Sequence, residues 1–191
     1  MLPLEYPIAE SQNFLFWSFL HLEWLRFLAQ PLVVYFEGPA MVSVFLPTLI
    51  CLWIALHARW TVRGTRGLVV LAAFCLGLLV SIQTAYWGQT GLHFLSTGEI
   101  LWPVFVWIFG AKVFSPLWAY VLTFLGTLIP DVLLAGERLQ WTAHFWFGVG
   151  GAGIHDAVFL SPLTAFLAAL FLALVREAFG RANAIHKLWS V

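Results

Sequence analysis

Apolar residues along this chain form long runs, separated by short stretches that contain glycine, proline and charged residues. As a helix, a run of about 20 apolar residues spans the ~30 Å hydrocarbon core of a bilayer. The pattern predicts six membrane-spanning segments, at residues 13–36, 40–57, 67–87, 98–113, 115–134 and 161–178. We therefore expect an all-α polytopic membrane protein, a six-transmembrane-helix bundle that forms one domain over residues 1–191.

The stretch between the fifth and sixth predicted spans differs from the other connections. Residues 144–162 read HFWFGVGGAGIHDAVFLSP, with four glycines within six positions and a His-Asp pair shortly after them. Glycine interrupts residues 141–160 too often to predict a span there, so we expect a re-entrant or surface-lying element before the last helix. The glycines indicate either close helix packing or a broken backbone that faces a ligand.

Composition and charge support a membrane location. The chain is 62% hydrophobic and only 9% charged, whereas a soluble domain carries about 25% charged residues. Lys+Arg and Asp+Glu balance at nine each without a basic run, so we expect membrane lipids and no nucleic acid as partners.

The distribution of Lys and Arg predicts the orientation. With six spans, only Arg138 lies on the outer side, and seven basic residues lie inside: Arg59, Arg63, Arg66, Lys112, Arg176, Arg181 and Lys187. Both termini are then cytoplasmic, and we expect a prokaryotic inner (plasma) membrane protein.

This topology collects polar residues on the outer face. Ionisable residues at membrane depth are costly and usually face a bundle interior or a wet cavity. The candidate ligand-binding residues are Tyr86, His93, Glu99, Asp131, His144, His155 and Asp156. We expect an outward-opening pocket with His155 and Asp156 on one wall, and Asp131 and Glu99 opposite them at similar depth.

Local motifs predict several helix starts. Ser115-Pro116 and Ser161-Pro162 are typical of a serine N-cap followed by proline at the first helical position. Ser96 and Glu99 match a capping box at the start of the fourth span, which is a structural alternative for Glu99.

The predicted function is a small membrane component that binds or transports a small solute or ion. Six spans with both termini inside loosely resemble the substrate-binding subunits of energy-coupling-factor transporters, although segment 13–36 lacks their A-x-x-x-A docking motif. One alternative is an accessory subunit without its own site, packed against partner membrane subunits or as a homo-oligomer.

A second alternative is a membrane enzyme whose histidines and carboxylates bind a metal such as Zn or Mn, or act as acid and base. The cofactor is unknown, because no metal or nucleotide motif stands in a matching context. The glycine run from Gly148 to Gly153 matches G-x-G-x-x-G but lacks the strand–turn–helix setting that gives this motif its meaning.

Overall fold

A computed structural model describes residues 41–88, 91–134, 149–150 and 153–189 of the 191-residue chain. The side chains of residues 86–88, 91–92, 134 and 181–189 are not part of that description. The predicted first span at 13–36, His144 and most of the stretch 141–152 lie outside the described residues.

The described chain is helical, apart from one short hairpin. A π-helical turn, Met41–Phe45, leads into α1 (Leu46–His57), and α2 is Thr65–Gln83. Three-residue strands β1 (Tyr86–Gly88) and β2 (Gly91–His93) pair antiparallel, with Tyr86 opposite His93. Then come α3 (Gly98–Phe109), α4 (Pro116–Leu134), a 3-10 turn (Gly153–His155) and α5 (Ala157–Trp189).

Three helices in the described part of the chain are long and apolar enough to cross a membrane. They are α2, the Pro116–Leu133 part of α4 and the Ala157–Gly180 part of α5. Two shorter apolar helices, Met41–His57 and Gly98–Phe109, accompany them. The prediction of a helical membrane bundle is thus supported in its coarse form, and the count of six spans stays a prediction.

Three buried apolar clusters follow one another along the bundle. The first contains Val44, Phe124, Val149 and Val158, and the second contains Ile54, Tyr120 and Val121. The third, at the other end, contains Val62, Val70, Trp102, Phe105, Val106, Phe114, Ala119 and Ala169. Since α4 contributes Phe124 to the first and Ala119 to the third, while α5 contributes Val158 and Ala169, these two helices run antiparallel.

The two ends of the bundle differ in charge. We call the end that contains Ser43, Asp131, Gly150 and Asp156 the carboxylate end. The opposite end, with residues 58–66 and 109–115 and Arg176, is called the basic end. The end of α4 and the start of α5 both lie at the carboxylate end, because Gly150 is hydrogen-bonded to Asp131.

The structure confirms one predicted helix start and corrects two. Helix α4 begins at Pro116, and the Leu117 N–H donates to Ser115 Oγ at 3.3 Å, as the Ser-Pro pair predicts. Helix α5 begins at Ala157, not at Ser161, because Asp156 caps it: its Oδ1 accepts the Val158 N–H at 2.9 Å.

The predicted capping box at the start of α3 is wrong. The N-cap residue of α3 is Thr97, whose side chain makes no capping hydrogen bond. Ser96 Oγ is buried and has no hydrogen-bond partner among the described residues, so it does not receive the Glu99 N–H. The α3 start is instead fixed by packing: a Cβ on Gly98 would lie 2.8 Å from Thr123 Oγ1, which shows how closely α3 approaches α4.

Candidate functional site

Asp131 is a buried carboxylic acid on a helix that is long and apolar enough to span a membrane. It lies in the last turns of α4 and is only 8% exposed. Burying an ionisable group in an apolar surrounding is costly unless the group has a partner. That partner is backbone: the Gly150 N–H donates to Asp131 Oδ2 at 3.2 Å.

The Gly150 peptide is held from both sides. Besides the bond from its N–H to Asp131, its carbonyl oxygen accepts a hydrogen bond from Ser43 Oγ at 2.5 Å. Ser43 is fully buried in the π-helical turn that precedes α1. Three segments distant in sequence thus meet at Gly150, and the hydrogen bond from Ser43 joins residues 107 positions apart.

Only glycine fits at position 150. Its φ of 70° lies in the left-handed region, which side chains with a Cβ rarely adopt. A Cβ there would lie 2.5 Å from Val44 Cγ2 and would also overlap Ser43 Oγ. Gly153 has a φ of 62°, so a second glycine of this run also adopts a left-handed conformation.

A second carboxylate stands beside the first. Asp156 is half-buried at the N-cap of α5, where one of its oxygens accepts the Val158 N–H. Hydrogen bonds connect it to the Asp131 partner: the Gly153 N–H donates to the Gly150 carbonyl and the Asp156 N–H donates to the Gly153 carbonyl, both at 3.1 Å. Two neighbouring carboxylates on a partly buried, irregular backbone can share a proton, a cation or a positively charged group of a solute.

The other predicted site residues lie at different distances from this pair. His155 directly precedes Asp156, in the 3-10 turn, and its side chain is exposed. His93 is half-buried in β2, opposite Tyr86 in the hairpin register. The side chain of Tyr86, like all of His144, lies outside the described residues.

Glu99 and Asp131 lie at different depths in the bundle, whereas the sequence predicted a similar depth for both. It lies in the first turn of α3, next to Gly98, which contacts Thr123 on α4. Asp131 is eight residues further along α4, which corresponds to about 12 Å of helix axis. The offset arises because the chain folds back before α3: Thr97 packs against Gly77, well before the end of α2.

Sequence reasoning missed Ser43 as a member of the site. The only signal was a single hydroxyl within an apolar run, MVSVFLP. Such a hydroxyl often bonds to the carbonyl one turn earlier in its own helix, as Thr48 does to Val44 at 2.7 Å. The pattern therefore does not indicate that Ser43 bonds to Gly150 instead.

The described residues contain no group of three or more His, Cys, Asp or Glu side chains arranged to hold a metal ion. No arrangement in this part of the chain therefore supports the prediction of a metal-dependent enzyme, which stays a prediction.

Comparison with known families gives one match. The profile of a family described as "Protein of unknown function (DUF1614)" matches residues 41–168, about two thirds of the 191-residue chain. The chain belongs to the DUF1614 family. Ser43, Asp131, Gly150 and Asp156 all lie within the DUF1614 match, whereas Arg176 lies beyond it. No curated protein and no solved structure matches the chain.

Proposed function

We propose that this DUF1614 protein is a membrane component that binds, and in a membrane carries, a small cation or a small cationic solute. Asp131 and Asp156 are its proposed ligands. The observation that supports this most directly is the burial of Asp131 near the end of an apolar helix, where its hydrogen bond to Gly150 places it against the turn that carries Asp156.

The charge of the pair favours a positively charged ligand. Two carboxylates in a medium of low dielectric constant repel each other far more strongly than they do in water. The Gly150 N–H offsets part of this repulsion with one hydrogen bond. A cation between the two carboxylates would offset the remaining repulsion. The free energy of binding would then come from relieving the electrostatic repulsion that the fold creates by placing these groups together.

The backbone around the pair supports the same proposal. In transporters with discontinuous helices, free backbone groups at the break help to coordinate ions. Here the chain is non-helical at Val149 and Gly150 and forms a 3-10 turn at Gly153–His155 before α5 begins. The Gly150 carbonyl oxygen already accepts hydrogen bonds from Ser43 Oγ and, at 3.1 Å, from the Gly153 N–H, so the proposed ligand atoms are the carboxylate oxygens beside this fixed backbone.

The proposed topology has six spans and cytoplasmic termini, with the carboxylate end facing outward. Residues 13–36 form the first span in this proposal, and residues 141–160 do not cross the membrane. Two observations support it: α4 ends and α5 begins at the same end of the bundle, and the basic residues of the described chain gather at the other. The proposed pocket then opens on the outer face.

Thermal unfolding of the purified full-length protein tests the site. The probes are LiCl, NaCl, KCl and ethylammonium chloride, with N-methylglucamine chloride keeping the ionic strength constant. We expect one probe to raise the unfolding temperature in a saturable way. At a concentration ten times its dissociation constant, stabilisation would be about 1.4 kcal/mol.

Isosteric variants separate charge from structure. Asp131→Asn keeps an oxygen that can accept the Gly150 N–H, and Asp156→Asn keeps the N-cap acceptor, so both should fold without the probe. We expect both to lose the probe-dependent shift. Glu177→Gln removes one negative charge from an exposed position on α5 near the basic end, and should keep the shift. An equal shift in the wild type and both Asn variants, or no shift with any probe, would contradict the proposal.

A further inference from the structure

The basic end gathers five cationic side chains that are scattered along the sequence. They are all exposed, and they come from the α1–α2 connection, α2, the α3–α4 connection and α5: Arg59, Arg63, Arg66, Lys112 and Arg176. Hydrogen bonds hold the α1–α2 connection against the α3–α4 connection and the first turn of α4. The Thr61 hydroxyl donates to the Val113 carbonyl at 2.5 Å, and Trp118 Nε1 donates to the Arg59 carbonyl at 3.3 Å.

Two of these arginines contact the last turn of α3. Arg66 places its guanidinium carbon 6.0 Å from the centre of the Phe109 ring. Arg176 reaches across from α5 and donates from Nη1 to the Trp107 carbonyl. The C-terminus of a helix carries partial negative charge and unpaired carbonyls, and this attracts both cations.

Gly110 leaves the space that the Arg176 guanidinium occupies. With a φ of 84°, Gly110 ends α3, and a Cβ there would lie 3.1 Å from Arg176 Nη1. A guanidinium has five N–H donors in a planar fork. The Trp107 carbonyl uses one side of the fork, which leaves donors of the exposed Arg176 for a second acceptor.

Exposed apolar side chains stand next to both arginines. Leu68 and Val69 are exposed on α2 directly after Arg66, and Phe171 and Leu174 are exposed on α5 directly before Arg176. In a membrane these faces contact acyl chains. Arg66 is the second residue of the span Thr65–Gln83, and Arg176 lies in the last turns of the span Ala157–Gly180, so both stand near the membrane ends of their helices, where lipid headgroups lie.

We infer that the basic end binds the phosphate of an anionic phospholipid, with Arg66 and Arg176 as its main contacts. Arginine binds phosphate bidentately, which a planar fork of donors suits. Among the described residues, the acidic side chain at this end is Glu177, against five cations. Acyl chains along α2 and α5 would hold the lipid in place, so we expect a lipid phosphate and not free phosphate.

Native mass spectrometry of the full-length protein tests this inference. The protein is released from nanodiscs that contain equal amounts of phosphatidylglycerol and phosphatidylcholine, and retained lipids are counted. We expect retention of phosphatidylglycerol over phosphatidylcholine. Each charge removed near an anionic surface should lower the ratio about fivefold, so Arg66→Gln with Arg176→Gln should lower it about 25-fold.

Control variants separate the site from general charge. Lys187→Gln removes the same charge 11 residues further along α5, about 16 Å away along the helix axis, and should leave the ratio within twofold. Arg176→Lys keeps the charge but not the planar fork of donors. Its ratio of retained phosphatidylglycerol to phosphatidylcholine should lie between those of the wild type and Arg176→Gln. If the double variant does not fold, Arg66→Gln alone tests the inference, because it leaves the hydrogen bond from Arg176 to the Trp107 carbonyl in place.

Three outcomes would overturn the inference. The first is retention of phosphatidylcholine equal to that of phosphatidylglycerol in the wild type. The second is an equal loss of phosphatidylglycerol in Lys187→Gln and in the arginine variants. The third is displacement of the bound lipid by millimolar inorganic phosphate at constant ionic strength, which would assign the basic end to a free anion.

Discussion

Replacing Gly150 with alanine is the sharpest test of the carboxylate end, because the N–H and the carbonyl of that one residue bond to Asp131 and to Ser43. The added methyl group would meet Val44 Cγ2 at 2.5 Å and overlap Ser43 Oγ, so the π-helical turn or the Gly150 segment must move. Either movement weakens the hydrogen bond from Ser43 Oγ to the Gly150 carbonyl. The positive φ adds backbone strain.

The expected cost is the sum of two effects. A Cβ at a positive φ costs about 1 kcal/mol. Overpacking a close contact costs a further 1–3 kcal/mol, roughly. We therefore expect Gly150→Ala to lower the free energy of unfolding by about 2–4 kcal/mol.

The assay is SDS-driven unfolding of the full-length protein in mixed micelles, followed by far-UV circular dichroism. Two glycines of the same chain serve as matched controls. Gly64 also has a positive φ, 60°, but a Cβ there meets no atom within 4 Å, so Gly64→Ala isolates the backbone strain. Gly180 lies in α5 with the same open space and no positive φ, so Gly180→Ala should be as stable as the wild type or more stable by up to about 1 kcal/mol.

These controls define what would refute the reasoning. Unfolding of Gly150→Ala at the same SDS fraction as Gly180→Ala would show that the contact described at Gly150 is not formed. If Gly150→Ala and Gly64→Ala lower the free energy of unfolding equally, the result would agree with a positive φ at Gly150 but would contradict the close approach of Ser43 and Val44.

Two further predictions concern the cap of α5 and the topology. Asp156→Ala removes the acceptor of the Val158 N–H and should lower the free energy of unfolding by about 1 kcal/mol, whereas Asp156→Asn should not; equal losses in the same SDS assay would reject a capping role. In a variant without native cysteines, a cysteine at the exposed Ile154 should react with an impermeant maleimide from outside intact cells. A cysteine at the exposed Arg63 should react only after permeabilisation, and the reverse pattern would invert the proposed orientation.

Sequence alone predicted the helices best where their ends are set by neighbouring residues. The predicted segment 115–134 became α4, Pro116–Leu134, because the serine before the proline caps the helix locally. The predicted start of α5 was late, since the pair Ser161-Pro162 resembles a helix start while Asp156 supplies the cap that forms. Pro162 lies within the second turn of α5, where the helix continues through it.

The candidate site was predicted in part. The rarity of acidic residues in an apolar chain pointed to Asp131 and Asp156, and the structure connects them through hydrogen bonds of Gly150 and Gly153. It does not place Glu99 at their depth, because α3 starts beside the middle of α4. The length of the connection between α2 and α3 does not indicate this start. The chain after α2 forms a hairpin and then returns along α2 as far as Gly77 before α3 begins.

The sequence by itself predicted the kind of elements in this protein: apolar runs of spanning length predict helices that could cross a membrane, and glycine next to charge indicates irregular backbone. Which groups meet was decided only by tertiary structure. Ser43 reaches Gly150 across 107 positions, and four separate parts of the chain supply the cations of the basic end. Hydropathy and capping act within a few residues, whereas these contacts depend on how helices pack, and no local pattern encodes that register.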